Sequence, residues 1–390
     1  MKNHFLTALA ASTIFITGGA LAQSSSNPIK IGFITTLTTP SGYLGQEIRD
    51  AFALAMEQEG GKLGGQQVEL MVVDDGLKPD VAKQTAERMF ERDGVRIFSG
   101  IVFSNIAAAV VPDLVSNGAL YISPNASPNE MAGASCHKNY FVASWQAGTQ
   151  SEMAGILANQ LNYKNVLLLA PNYVAGLDQI ASFKRHYKGN ISTEILTKLG
   201  QTDYSAEITR IRAAKPDAVF FFLPGGMGIS FIKSLKDSGL GSMPLVTPLT
   251  VDERIVDALG EKAQGIRGTT FWNYDFENSS NRIFVEQFRK KYGKIPSTYA
   301  AQGYDTARLI ASALRAVGGD VSKVDQFRAA LKAAKFDSIR GKFGFANNNH
   351  PIQDWYSREV VKDSSGNYVM KTTGVLAKDH TDVYAKECKL

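Results

Sequence analysis

The sequence predicts an α/β fold of two tandem units, each an open, mostly parallel sheet covered by helices on both faces. Three observations lead there. Short apolar runs alternate with amphipathic stretches from residue 29 onward, the alternation begins afresh after Tyr140, and the length suits two domains of roughly 150 residues or more. Strands separated by helices of this length need crossovers that lay the helices over both faces of a parallel sheet.

The first series opens with a strand-like run at 29–35, and apolar residues recur at helical spacing over 46–58. A strand at 67–73 and a charged amphipathic helix at 81–92 follow, then a strand at 95–100, a helix at 105–117 and a strand at 120–123. The second series predicts strands at 165–170, 191–198, 218–223, 245–247 and 268–271. Helices near 150–161, 177–187, 205–214, 228–238 and 254–259 alternate with them. Helices at 283–292, 299–317 and 325–334 come next without intervening strands, and the tail from 338 turns β-rich around a hairpin turn at 363–367.

Ligands of open parallel sheets sit outside the carboxyl ends of the strands. That rule selects the loops at 36–45, 101–105, 124–128, 171–176, 224–228 and 248–252.

The amino terminus reads as an export signal. Lys2 precedes an apolar run at 5–16, then Gly18, Gly19 and Ala20-Leu21-Ala22, which predicts cleavage after Ala22 and places the signal peptide at 1–22. No Cys stands directly after that point to carry a lipid, and no later stretch has the roughly 18 uninterrupted apolar residues of a membrane span, so a soluble, exported protein is expected. Lys and Arg number 42 against 37 Asp and Glu. This small excess is spread along the chain, without the dense basic clusters of a nucleic-acid or anionic-membrane binder. An even pair of cysteines in an exported chain, Cys136 and Cys388, favours one disulfide over two unrelated buried thiols.

Catalytic and cofactor signatures are missing. Gly225-Gly226-Met227-Gly228 follows a strand, but Phe231 stands where a dinucleotide turn needs its third glycine. His137, His186, His350 and His380 are isolated from one another and from metal-ligand spacing. Asp74-Asp75 reads as a turn before a helix, and no Gly-x-Ser-x-Gly elbow exists. No metal, no cofactor and no enzyme are predicted.

The stretches IGFITTLTTPSGYLGQEIRDAFALA, SGIVFSNIAAAVVP, YISPNAS, PNYVAGLD and AAKPDAVFFFLPGGMG, in order along the chain, resemble the type I periplasmic binding proteins of the branched-chain amino acid class, which deliver solutes to ABC importers. The resemblance implies two Rossmann-like lobes joined by a three-segment hinge near 140–144, 272–275 and 343–347. It divides the chain into lobe 1 (28–143 plus 275–345) and lobe 2 (144–274 plus 346–390, with the C-terminal tail). Ser144-Trp145-Gln146, NHPIQDWY at 349–356 and the Cys136 and Cys388 pair look most like members that serve aromatic and other organic acids.

What the resemblance implies for the site is transferred residue by residue. Ser104, the Asn125 backbone amide and the Ser127 hydroxyl would grip a ligand carboxylate, since aligned N–H and O–H donors at helix N-termini hold an anion without Lys or Arg. Tyr173 aligns with a ligand-facing Tyr. The family Glu that holds an amino acid's ammonium falls at Leu249, which cannot neutralise a buried cation. Tyr43 or Leu44, Phe103, Trp145, Pro224 and Trp272 would add an apolar and aromatic lining. Expected, then, is a monomer that captures a benzoate-like or hydroxycinnamate-like acid by lobe closure and docks to an ABC permease. A branched-chain or other amino acid, with Asp252 or another nearby acid in place of the Glu, and a sensor for a receptor are the alternatives.

Overall fold

The computed structural model describes residue 1 and residues 27–390; the signal peptide and its cleavage site lie outside the described residues. The first six strands are β1 (Ile29–Thr35), β2 (Lys62–Leu63), β3 (Gln66–Asp74), β4 (Ile97–Ser99), β5 (Leu120–Ser123) and β6 (Tyr140–Val142). They form one sheet in the order β2-β3-β1-β4-β5-β6, parallel except for the β2–β3 hairpin. Fully buried parallel strands need apolar residues on both faces, and Ile31, Phe33, Ile97 and Ile122 are all buried.

The second sheet contains β7 (Asn165–Pro171), β8 (Asn190–Thr197), β9 (Ala218–Phe221), β10 (Leu245–Thr247), β11 (Arg267–Thr270), β12 (Gly344–Phe345), β13 (Pro351–Lys362) and β14 (Tyr368–His380). Its order is β12-β13-β11-β10-β9-β7-β8, with β14 paired to β13. Strands β7 to β11 run parallel, and the β13–β14 hairpin joins them antiparallel through β11. The β-rich tail thus extends the second sheet.

Among the described residues, twelve α-helices, α1 (Gly42–Gln58), α2 (Pro79–Glu91), α3 (Ser104–Ser116), α4 (Asn129–Ala132), α5 (Ala147–Gln160), α6 (Val174–His186), α7 (Ser205–Ala214), α8 (Gly226–Asp237), α9 (Glu253–Leu259), α10 (Ser279–Tyr292), α11 (Thr298–Val317) and α12 (Val324–Ala333), cover the sheets. None among the described residues is long and apolar enough to cross a membrane. Helix α1 begins earlier than its apolar spacing predicts, because Gly42 and Gly45 lie against the carbonyls of Leu37 and Thr36, where any side chain would collide. Helices α1 and α11 cross at Gly303, whose absent side chain leaves room for the Ile48 carbonyl.

The chain passes between the sheets near 143–146, 271–278 and 340–343. Arg340 ties these crossings together. Its buried guanidinium donates to the carbonyls of Ala143 and of Ser144 (2.8 Å), to Gln353 Oε1 (2.7 Å) and to Asp305 Oδ2 (3.1 Å). It also lies over the rings of Phe271 and Phe343 at 4.8 and 4.5 Å. A buried cation so fully paired holds three backbone segments in one register, and removing it would leave Asp305 uncompensated.

The end of the chain does not stay with the second sheet. Cys388 is bonded to Cys136, ahead of β6 in the first lobe, with Cα atoms 5.7 Å apart. Asn347 Nδ2 donates to the carbonyls of Ala385 and Cys388 at 2.8 and 3.2 Å, so the tail is laid across the third crossing.

Candidate ligand-binding site

Strand β4 delivers the chain through Gly100, in the left-handed region at φ +105°, into the loop that starts α3. A side chain at Gly100 would meet the Ile34 carbonyl at 2.7 Å, so only glycine allows this approach. Phe103 holds the N-cap position in an extended conformation without a capping hydrogen bond. The first amides of α3 therefore have neither an intrahelical acceptor nor a side-chain cap, and Ser104 stands at their head.

The loop after β5 is the polar YISPNAS stretch. Ser123 Oγ donates to the Ala126 carbonyl at 2.6 Å, and Tyr140 Oη donates to the same oxygen at 3.0 Å, which fixes the turn. Asn125 Nδ2 donates to the Val102 carbonyl at 2.6 Å and ties this loop to the one before α3, leaving its Oδ1 buried without a partner. Ser127 Oγ donates to the Trp145 carbonyl at 2.5 Å. The Ser127 hydroxyl expected to grip a carboxylate thus spends its hydrogen on the hinge, because the first crossing runs directly past it.

Between the lobes lies a narrow cavity. Phe103, Ser104, Asn125 and Ser127 line it from the first lobe, Trp145 from the hinge, and Tyr173, Pro224 and Leu249 from the second lobe. Tyr173 is the uncapped N-cap residue of α6, the counterpart of Phe103 on α3, and the two rings lie 6.3 Å apart across the gap. Of the alternatives at 43 and 44, Leu44 lines the cavity. Tyr43 instead reaches across to the second lobe, where its hydroxyl donates to Asp252 Oδ2 at 3.1 Å.

Trp272 does not reach the cavity. Its indole nitrogen donates to Asn281 Oδ1 at 2.7 Å and its ring packs against Phe284, so it belongs to the core beside the second crossing. Gln150, Gln179, Phe222 and Tyr299 line the cavity without having been expected. Gln150, Gln179 and Tyr299 come from helices, and a search confined to strand-to-helix loops passes over them. Only Phe222, just beyond β9, lies where extending the loop at 224–228 by two residues would have found it.

No charged side chain lines this cavity among the described residues. Asp252, the candidate replacement for the missing acid, caps α9 by accepting from the Ile255 amide at 2.9 Å, and its other oxygen takes the Tyr43 hydroxyl. Burial pushes its carboxyl up to about 7, against the pull of the Ile255 amide. Burial likewise raises the Tyr173 and Tyr299 hydroxyls, which stay neutral and able to donate. The enclosure is thus uncharged, with uncapped helix starts at its wall.

A family model described as periplasmic binding protein matches residues 28–366. The chain belongs to the periplasmic binding protein family. It is a solute-binding fold of type I, a binding protein and not an enzyme. Leu/Ile/Val-binding protein homolog 6 of Brucella melitensis is 29% identical over 390 residues, spanning 95% of this chain and 96% of that protein. Among solved structures, the solute-binding protein of an ABC transporter from R. palustris in complex with benzoate has a TM-score of 0.88 at 29% identity, covering 93% of this chain and 100% of that one. A solute-binding protein of an ABC transporter from Rhodopseudomonas palustris BisB5 in complex with 3,4-dihydroxy benzoic acid has a TM-score of 0.82 at 26% identity, covering 91% and 99%.

Proposed function

We propose that this protein is the periplasmic substrate-binding component of an ABC importer and that it captures a small aromatic carboxylate by closure of its two lobes. The observation that carries the reading is the uncharged cavity wall. A zwitterionic amino acid would bury its ammonium there with no counter-charge, at a cost of several kcal/mol. A carboxylate needs only neutral donors, which Ser104 and the free amides of α3 offer, while Phe103, Trp145, Tyr173 and Leu249 suit a flat ring. The structural neighbours in complex with benzoate and 3,4-dihydroxy benzoic acid support the same choice.

The names of the Brucella relatives favour a second reading, a branched-chain amino acid ligand. In this proposal the mature chain begins after Ala22, acts as a monomer, and presents its closed form to a permease. Residues 28–143 with 275–345 and residues 144–274 with 346–390 form the two moving lobes. A sensory role would pass the same closed shape to a receptor.

A thermal-shift screen of benzoates, hydroxycinnamates and aliphatic amino acids tests it. Aromatic acids should raise Tm and leucine should not, and Ser104→Ala should weaken the acids about tenfold or more, as a lost hydrogen bond to a charged group does. A Tm rise confined to leucine, isoleucine or valine would sink the assignment.

A further inference from the structure

Helix α5 opens the second lobe, and its first turns are crowded with polar side chains that are almost all engaged. Gln146 Oε1 accepts from the Thr149 amide at 3.1 Å and from Thr149 Oγ1 at 3.2 Å, while Gln146 Nε2 donates to Asn129 Oδ1. Ser151 Oγ donates to Gln179 Oε1, and Gln179 Nε2 returns to the Ala147 carbonyl at 2.8 Å. The Gln150 carbonyl accepts from Thr269 Oγ1 at 2.8 Å, which locks that turn onto β11.

One acceptor in this set is left over. The Gln150 side chain is 2% exposed and lines the cavity, yet its Oε1 is buried without a partner among the described residues. Buried acceptors are rarely left unpaired, and the Gln146, Ser151, Gln179 and Thr269 donors beside it are committed elsewhere. A donor that enters the cavity would satisfy it. Gln150 belongs to the lobe opposite Ser104, so it faces the end of a ligand whose acid group sits on the first lobe.

We propose that Gln150 is the specificity residue of this cavity: its Oε1 receives the hydrogen of a ring hydroxyl placed meta or para to the acid, so that the protein selects hydroxylated aromatic carboxylates over bare ones. The inference rests on the aromatic-acid reading above. A site that offers a hydrogen-bond partner rejects the analogue lacking it, because the buried group is then stranded. Asn125 Oδ1, the other unpartnered acceptor at the cavity, lies on the acid-binding side and would favour an ortho hydroxyl instead.

Isothermal titration of the mature protein with benzoate, 3- and 4-hydroxybenzoate, salicylate, 4-fluorobenzoate and leucine decides the matter, in the native chain and in Gln150→Met. The native protein should bind 3- or 4-hydroxybenzoate about tenfold or more tighter than benzoate, with 4-fluorobenzoate no better than benzoate. Gln150→Met should erase that preference, bringing the affinities for 4-hydroxybenzoate and benzoate to within about threefold of each other, the rough span of packing differences. Equal binding of benzoate and both hydroxybenzoates by the native protein, a preference for salicylate, or a preference that survives in Gln150→Met would overturn the role of Gln150 alone. Binding of leucine with none of the benzoates would overturn the parent reading as well. The fluoro and hydroxy pair tests the idea in the native chain, whatever the variant's fold.

Discussion

The phenolic hydroxyl of Tyr43, in the first turn of α1, donates to Asp252 Oδ2 of the opposite lobe at 3.1 Å, while Asp252 Oδ1 caps α9. Three further hydrogen bonds span the same gap between the lobes. Ser41 Oγ donates to the Pro224 carbonyl at 3.3 Å, Arg358 Nη1 to Thr298 Oγ1 at 3.3 Å, and the Asn129 amide to Asp178 Oδ2 at 3.0 Å. Each bond joins the two lobes, so in the closure proposed above each would exist only while the cleft is closed, and closure-dependent contacts shift the open and closed populations.

Tyr43→Phe removes one such contact without touching the cavity wall. Ligand affinity should fall about tenfold, the scale of a hydrogen bond to a carboxyl group. Ligand-induced compaction by small-angle scattering should become less complete at the same ligand concentration. Undiminished affinity would show that the pair contributes nothing to closure.

The protonation of Asp252 predicts the pH response of stability. Burial lifts its carboxyl from 3.8 to about 7, and it lifts Glu253 to about 8 and Asp178 to about 6. A raised carboxyl binds its proton more tightly folded than unfolded. Its contribution is whole below the ordinary carboxylate range and is lost as pH rises through the folded value. Urea unfolding of the ligand-free protein should therefore give greater stability at pH 5.5 than at pH 8. Asp252→Asn keeps the helix cap and should flatten that slope by at most ~1.4 kcal/mol per pH unit.

Gly225→Ala should hinder closure. Gly225 sits at φ +70° and ψ −138°, and an added Cβ would meet Ser41 of the opposite lobe at 2.5 Å from Oγ and 2.9 Å from Cα. Backbone lies behind that contact, so a rotamer change alone cannot relieve it. We expect a stability loss of about 1–3 kcal/mol from the strained backbone and, in the folded fraction, at least tenfold weaker binding by titration.

Leu249→Glu should not convert the protein simply into an amino acid receptor, but it should exclude aromatic acids. A carboxylate at this wall would face the carboxylate of the ligand across a low-dielectric gap, and affinity for benzoates should drop by about two orders of magnitude at pH 8. Retained benzoate affinity would place the ligand away from Leu249.

The Cys136–Cys388 bond closes a loop with a sequence separation of 252 and fastens the tail over the third crossing. Its removal in a Cys136→Ser, Cys388→Ser double variant should cost about 2–4 kcal/mol in denaturant unfolding. Affinity should change little, since neither cysteine touches the cavity.

Much of the architecture was legible before any coordinates. The spacing of apolar residues distinguished strands from helices because burial on a sheet or a helix face imposes a period, and the loops at strand ends followed from the parallel topology. Boundaries were less legible. Gly42 and Gly45 extend α1 past its apolar pattern because their reason for being glycine is a contact with the preceding loop, and β6 is too short to carry a period.

The candidate site was legible by position and not by orientation. The local sequence determined that Ser104, Asn125, Ser127, Tyr173 and Leu249 would stand at strand ends, since chain connectivity alone brings them there. It could not determine that Ser127 would turn its hydrogen to the Trp145 carbonyl, that Tyr43 would leave the cavity for Asp252, or that Trp272 would bury itself against Asn281 and Phe284. Nor could it bring Gln150 and Tyr299, from two helices about 150 residues apart in sequence, to one wall. Those choices belong to the tertiary structure, because a side chain at a junction goes where the neighbouring lobe offers a partner or a void, and that neighbour exists only once both sheets have folded and met.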